Sequence, residues 1–431
     1  MAANALVNFG VADRQLSNKE KWISFFGLFL FGFSNVFNLL KPSAFLGDLG
    51  AIFNMGMESV GNLMGVFAFA TLILAFPGAW LMRNIGIKTS LLITMIITII
   101  GSILGILAPN GDVLLFSRVL EGVGFGLIAV IGPNIMPRLF ELSKQGLVMG
   151  IWSQWVPVGT VIVFFLAPIL YTAFGWQSLW VVSIALELIA LVWLFTGVKF
   201  SKTPENVLAL GGGEGRKHVV KGKVYLVGAI AVSVIFTLWT FVYLDDINGF
   251  YPTFLQEVKG WDIQAAAMPT LVLAAITIPA GILAGMIMGK TRTCKWFVAG
   301  GYALVCISVL VGYTAAGDNV SPWILAVLMG FAGGAVPTAT RSIIPMLAKD
   351  PTKTDYALAV MAFTTGFGQL FSGVYGASVA SIGWFDTAYF VLFPCAAVAV
   401  VATILFVKSD HAVAKEDALL PDPEEHVAAR N

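Results

Sequence analysis

The sequence predicts an all-α polytopic membrane protein, with twelve transmembrane helices in two pseudo-symmetric six-helix bundles. Three observations carry that reading: the composition is apolar, the apolar residues fall into twelve runs of span length, and the two halves echo one another about a basic linker. Of the 431 residues 58% are hydrophobic and only 11% charged, with a mean hydropathy of +0.87, far from the balance of soluble domains. Lys and Arg total 25 against 24 Asp and Glu, so the charge balance calls for no nucleic acid.

A helical span needs roughly 20 apolar residues. The runs that qualify are 22–46, 60–82, 88–108, 113–139, 146–172, 178–195, 224–255, 265–288, 296–315, 323–347, 356–380 and 387–407. Those longer than about 25 residues imply tilt or a break, and Asn248-Gly249 followed by Pro252 places a break in the seventh. Residues 1–21 are polar, and the run after them exceeds the h-region of a cleaved signal peptide, so they are expected to be retained. Ser17 with Glu20 fits a capping box opening the first helix.

Of the 25 basic residues, Lys41, Arg118 and Arg341 lie within spans and Lys259 in an odd-numbered connection. The rest lie in the termini, in even-numbered connections or at the span ends that meet them, which predicts cytoplasmic termini. The longest connection, 198–223, holds Lys199, Lys202, Arg216, Lys217, Lys221 and Lys223 around Gly211-Gly212-Gly213. It lacks the Gly-x4-Gly-Lys-Ser/Thr spacing of a phosphate loop and reads as a flexible basic linker. The expected division is therefore a cytoplasmic N-terminal segment 1–21, bundles 22–197 and 224–407 joined by linker 198–223, and an acidic, disordered cytoplasmic tail 408–431. Cys294, Cys306 and Cys395 have no metal-ligand spacing, and His218, His411 and His426 all lie in polar segments. Neither a metal nor a cofactor is expected.

The halves repeat features in the same order. Phe76-Pro77-Gly78 through Gly86-Ile87-Lys88 echoes Ile278-Pro279-Ala280 through Gly289-Lys290, and Gly122, Gly126 and Pro137 echo Gly330, Gly334 and Pro345.

The fourth run contains Arg118-x-x-Glu121-Gly122-x-Gly124-x-Gly126, two opposite charges sharing one helix face among glycines that admit a close neighbour. With the six-plus-six division, this resembles the fourth-helix motif of the major facilitator superfamily of secondary transporters. The segment Gly78-Ala79-Trp80-Leu81-Met82-Arg83-Asn84-Ile85-Gly86-Ile87-Lys88 resembles that family's conformational loop, with Met82 in place of its acidic residue and Gly86 one place late. Trp155-Val156-Pro157-Val158-Gly159 is a partial version of the signature of proton-linked drug antiporters. The resemblance implies that spans one, four, seven and ten line a central cavity.

Charges inside spans test that implication. Those well inside spans are Lys41, Arg118, Glu121, Glu187, Asp245, Asp246 and Arg341, and only Glu187 lies off the four cavity spans. Six charges facing lipid would cost on the order of 15 to 20 kcal/mol, so a shared polar vestibule is expected. Ser34, Asn38 and Lys41 form one polar stripe on span one, and Trp239, Tyr243 and Asp246 one on span seven. If the stripes face each other, Lys41 pairs with Asp245 or Asp246, as a gate or as a static pair. Arg118 and Glu121 either stabilise the fourth helix or handle substrate and protons. Arg341 has no acid in its own span and needs a partner from another helix or an anionic substrate. Gln154, Thr338 and Gln369 are further candidates for the cavity wall, and Glu187 reads as a proton site or an interhelical hydrogen bond.

The expected protein is not an enzyme. It is a monomeric, multi-pass carrier in the lipid bilayer of the cytoplasmic membrane, moving a small organic anion such as a carboxylate by alternating access, with protons or a counter-substrate. The alternative is a proton-coupled multidrug or cation exporter of the same superfamily.

Overall fold

The structure, a computed structural model, describes residues 11–12, 14–140, 148, 151–201, 224–314, 317–348 and 351–418. The linker from 202 to 223, the tail beyond 418 and the side chains of Arg83, Asp245 and Asp246 lie outside the described part, as do the surroundings of Gly78.

Among the described residues nine stretches are long and apolar enough to cross a membrane, and one of them, Tyr356–Glu416, has 61 residues and room for two spans. Helices Met57–Ile85 and Gly111–Leu139, each of 29 residues, occupy the second and fourth predicted spans. The chain is a multi-pass, all-α membrane protein, and spans keep the numbers of the sequence reading. A two-residue parallel ladder, Val11–Ala12 with Phe200–Ser201, is the one strand pairing among the described residues.

Local chemistry decides where the helices stop. The first, Asn18–Leu40, opens with the predicted capping box, Ser17 accepting from Glu20 N while Glu20 accepts from Ser17 N. Arg14 and Lys199 also pair with Glu20, and the Arg14 guanidinium above all holds its carboxyl well below the usual range. The apolar run 22–46 is not one helix: Pro42 has no N–H to donate, so the α-helix ends at Leu40 and the chain re-forms as Leu46–Phe53. Spans two and three meet at Gly86, whose φ of 84° is a conformation that favours glycine. The seventh span breaks as expected, but over more residues: α-helix Leu226–Trp239 widens into a π-helical stretch, Thr240–Phe250, before Tyr251–Glu257 resumes with Pro252 in its first turn.

The chain divides into two compact units. Unit one is Met1–Gly213 with Asp245–Leu271 and Gln369–Ser381; unit two is Glu214–Leu244, Val272–Gly368 and Ile382–Asn431. Close glycine contacts join Gln369–Ser381 to the second span within unit one. A Cβ on Gly61 of span two would lie 2.6 Å from Ser372 O, one on Gly373 2.0 Å from Asn62 Oδ1, and one on Gly376 2.5 Å from Met57 O. Close to this seam Gln256 Nε2 donates to Ala44 O at 3.0 Å.

The same device packs span four on span two, where a Cβ on Gly122 would stand 2.0 Å from Phe67 O. Backbone cannot retreat as a side-chain tip does. Gly122→Val is therefore expected to lose more than the usual 1–3 kcal/mol of overpacking, read as loss of the monodisperse peak in detergent size-exclusion chromatography, while Gly300→Ala, with no atom in reach of an added Cβ, keeps it.

Candidate functional site

The helix break at Pro42 leaves the last carbonyls of span one without intrahelical donors, at the negative end of the helix dipole. Arg118 of span four fills that position. Its Nη1 donates to Asn38 O at 2.6 Å and its Nη2 to Leu39 O at 2.9 Å, while Nε donates to Leu63 O of span two at 3.0 Å. The guanidinium also lies 4.6 Å from the centroid of the Phe67 ring.

Glu121, one turn on, accepts from both nearby cations. Arg118 Nη1 donates to Oε2 at 2.5 Å, and Lys41 Nζ to Oε1 at 2.6 Å. Ser102 of span three donates a third hydrogen bond to Oε1 at 2.7 Å. Lys41 places its remaining N–H bonds on Asn38 Oδ1 at 3.0 Å and on Ser183 Oγ of span six at 3.3 Å, and its ammonium stands 4.3 Å from the Trp180 ring centroid. Lys41, Arg118 and Glu121 are each 0% exposed, so water contributes nothing to this balance.

Glu187 joins the cluster through span one. Its Oε1 lies 2.8 Å from Ser34 Oγ and 3.4 Å from Asn38 Nδ2. Its Oε2 is buried with no hydrogen-bond partner, and no ion pair joins Glu187 to a described cation.

The expected pairing of Lys41 with Asp245 or Asp246 is thus corrected. The polar stripe Ser34, Asn38, Lys41 exists, but it faces spans three, four and six of its own bundle, where three acceptors take up the ammonium. The vestibule expected around the N-terminal charges is replaced by a dry, internally hydrogen-bonded cluster, and Glu187, the residue off the four cavity spans, belongs to it. Sequence reasoning did not single out Ser102, Ser183 or Trp180. Their signals were present: Ser102 sits between Gly101 and Gly105 in an otherwise Ile- and Leu-rich span, and Trp180, Ser183 and Glu187 recur at helical spacing.

Residues 23–323 match the family model of the Major Facilitator Superfamily. The chain belongs to the major facilitator superfamily. Three solved structures share the fold at low identity: a D-xylose-proton symporter (TM-score 0.71, 16% identity, 90% of this chain and 98% of that one), a bacterial homolog of the human lysosomal transporter Spinster in an inward-facing, occupied conformation (0.69, 16%, 94% and 100%), and a POT family transporter in complex with 5-aminolevulinic acid (0.73, 15%, 94% and 99%). As a member of the major facilitator superfamily it is a secondary transporter of small molecules, embedded in the membrane.

In the superfamily's terms, the fourth-helix motif of this chain is the lock just described. Of the conformational loop, Gly86 forms the turn and Lys88 is buried, donating to Val198 O at 3.1 Å; Gly78 and Arg83 lie outside the described surroundings. In unit two, Trp239 and Tyr243 stack at 4.2 Å, the Tyr243 hydroxyl bonds Thr277 Oγ1 at 2.9 Å, and Trp239 meets the Tyr302 ring, so this pair packs on spans eight and nine. Thr338 lies against Gly281 and Gly285. Gln154 caps the N-terminus of Trp155–Phe174 without a side-chain cap bond, and Gln369 is buried at the seam with span two. Arg341 is exposed.

Because Glu121 is the shared counter-ion, its removal leaves two buried cations facing each other. Glu121→Gln is expected to cost about 3–5 kcal/mol, seen as a lower detergent melting temperature. The double variant Lys41→Met/Glu121→Gln should melt above the sum of the two single losses, because only one cation then lacks its partner.

Proposed function

We propose that the chain carries a small organic anion, a carboxylate above all, across the cytoplasmic membrane, with both termini cytoplasmic, coupled to protons or to a counter-substrate. Arg341 carries the anion reading. It is exposed on span ten, no hydrogen bond or ion pair joins it to a described residue, and its helix, Ser321–Ala348, contains no acid. Lys41, in contrast, has all three of its donors on protein acceptors, and Arg118 four of its five. A guanidinium is a rigid planar fork that matches a carboxylate through two parallel hydrogen bonds. Within a span it needs water or an anion to offset its desolvation.

Alternating access is supported by the seam in unit one. Glycines on spans two and eleven bring the helices close with few side chains between them, a contact that parts and re-forms at small cost. In this reading the moving bodies are the bundles 22–197 and 224–407, and a monomer suffices.

The test is uptake into liposomes containing the purified protein, with a panel of carboxylates and lipophilic cations, with and without an imposed pH gradient. Arg341→Ala should raise the KM for the transported carboxylate about ten- to hundred-fold, the equivalent of about 1.5–3 kcal/mol for a charged hydrogen bond, with Arg341→Lys between the two. If lipophilic cations are moved instead, and Arg341→Ala leaves that transport unchanged, the chain is an exporter of cations and the anion reading falls.

A further inference from the structure

The Ser34 hydroxyl has one proton and two neighbours at bonding distance. Its Oγ lies 2.8 Å from Phe31 O and 2.8 Å from Glu187 Oε1. A backbone carbonyl accepts only, so the Ser34 proton points at Phe31 O if that bond is made. The contact with Glu187 is then a hydrogen bond only if Glu187 is the donor. One proton on Glu187 Oε1 satisfies both short contacts, and it still leaves that oxygen a lone pair for Asn38 Nδ2 at 3.4 Å.

The surroundings agree. Glu187 is 0% exposed and its Oε2 has no partner. An ionised carboxylate without a cation or a full set of donors is the most costly group to bury, and a neutral acid costs far less. Glu121 in the same cluster has what Glu187 lacks, two cations in direct contact, and a hydroxyl besides.

We propose that Glu187 is the proton-binding residue of this transporter: it is a neutral acid in the state seen here, hydrogen-bonded to Ser34, and reports its protonation to the charge cluster through Asn38 and Lys41. On release the Oε1–H bond breaks, its electron pair stays on the carboxylate, and the proton passes to water. The four-residue cluster then goes from one net positive charge to none. The new anion competes with Glu121 for Lys41, the two linked through Asn38, whose Oδ1 accepts from Lys41 while its Nδ2 faces Glu187. Any weakening of Lys41 on Glu121 reaches Arg118, and with it the carbonyls of Asn38, Leu39 and Leu63 that hold spans one, two and four together.

The groups facing Glu187 from each packed span are few. Span one gives Lys41, and span four gives Glu121 with Arg118 behind it. Span three gives Ser102, bonded to Glu121, and its Lys88 is engaged with Val198 O. In span five Tyr171 is stacked on Phe45 and engaged with Asp48. Coupling to transport rests on the carrier reading above; the proton itself does not.

The test needs no substrate. Infrared difference spectra of the purified protein, titrated from neutral to alkaline pH, should show the carbonyl stretch of a protonated carboxylic acid that disappears as pH rises. Glu187→Gln should lose that band and keep the wild-type melting temperature at neutral pH, since the amide copies the neutral acid; Glu187→Asp should retain a band at a shifted position. Absence of the band in the wild type, or its persistence in Glu187→Gln, overturns the proposal. If the band behaves as described but no carboxylate is taken up into liposomes, the proton site stands and the anion reading falls.

Discussion

One carboxylate holding two cations in a dry bundle is the constraint on which the N-terminal half depends. Each ion taken out of water costs several kcal/mol, and their attraction offsets this only if every lone pair and N–H finds a partner. Glu121 meets that condition at both oxygens and Lys41 at three N–H bonds, and Arg118 places four of its five N–H groups, on three carbonyls and the carboxylate. The partners come from spans one, two, three, four and six. A shift of any one of these helices by an ångström or two leaves a buried charge short of a partner, so the arrangement is a cooperative lock rather than a sum of pairwise contacts.

The lock begins with a backbone decision. Pro42 ends the first helix in mid-run, and the carbonyls it exposes give Arg118 a reason to be buried. Without the break, Asn38 O and Leu39 O would be bonded within the helix and the guanidinium would have lost two of its acceptors. The seventh span has a different irregularity, a π-helical stretch from Thr240 to Phe250, where the wider turn loosens the helical ladder. In both spans the interruption lies among polar residues, Asn38 and Lys41 in one and Asn248 in the other.

Hydropathy made the spans legible, because a bilayer admits few other ways to satisfy the backbone. Helical spacing made the stripe Ser34, Asn38, Lys41 and the pair Arg118, Glu121 legible too, since both follow from local geometry alone. Which neighbour a stripe faces is not a local property. Lys41 had acids available on spans four, six and seven, and the choice of Glu121 follows from packing that periodicity does not encode. Ser102 and Ser183 were hidden for a related reason: a serine in an apolar span usually bonds its own helix, as Ser183 does with Leu179 O, and nothing in its spacing reveals a second partner. The glycine seam between Gly61 and Ser372 is likewise a tertiary fact.

The internal repeat extends to the glycines and prolines of spans four and ten but not to their charges. Arg118 stands four residues before Gly122, whereas Arg341 stands eleven residues after the corresponding Gly330. An arginine kept only for helix stability would gain from the same position in both halves, because the glycines that admit a close neighbour are already there. Instead one arginine is 0% exposed and consumed by protein acceptors, and the other is exposed on a helix without an acid. In the proposed carrier reading the two tasks conflict at one site: a guanidinium that ties spans one, two and four together through four of its five N–H groups has little left for a ligand, and one that is to bind and release an anion cannot be saturated by protein. Placing them at inequivalent positions in the two repeats lets the fold keep a rigid charge cluster in one half and an open cation in the other.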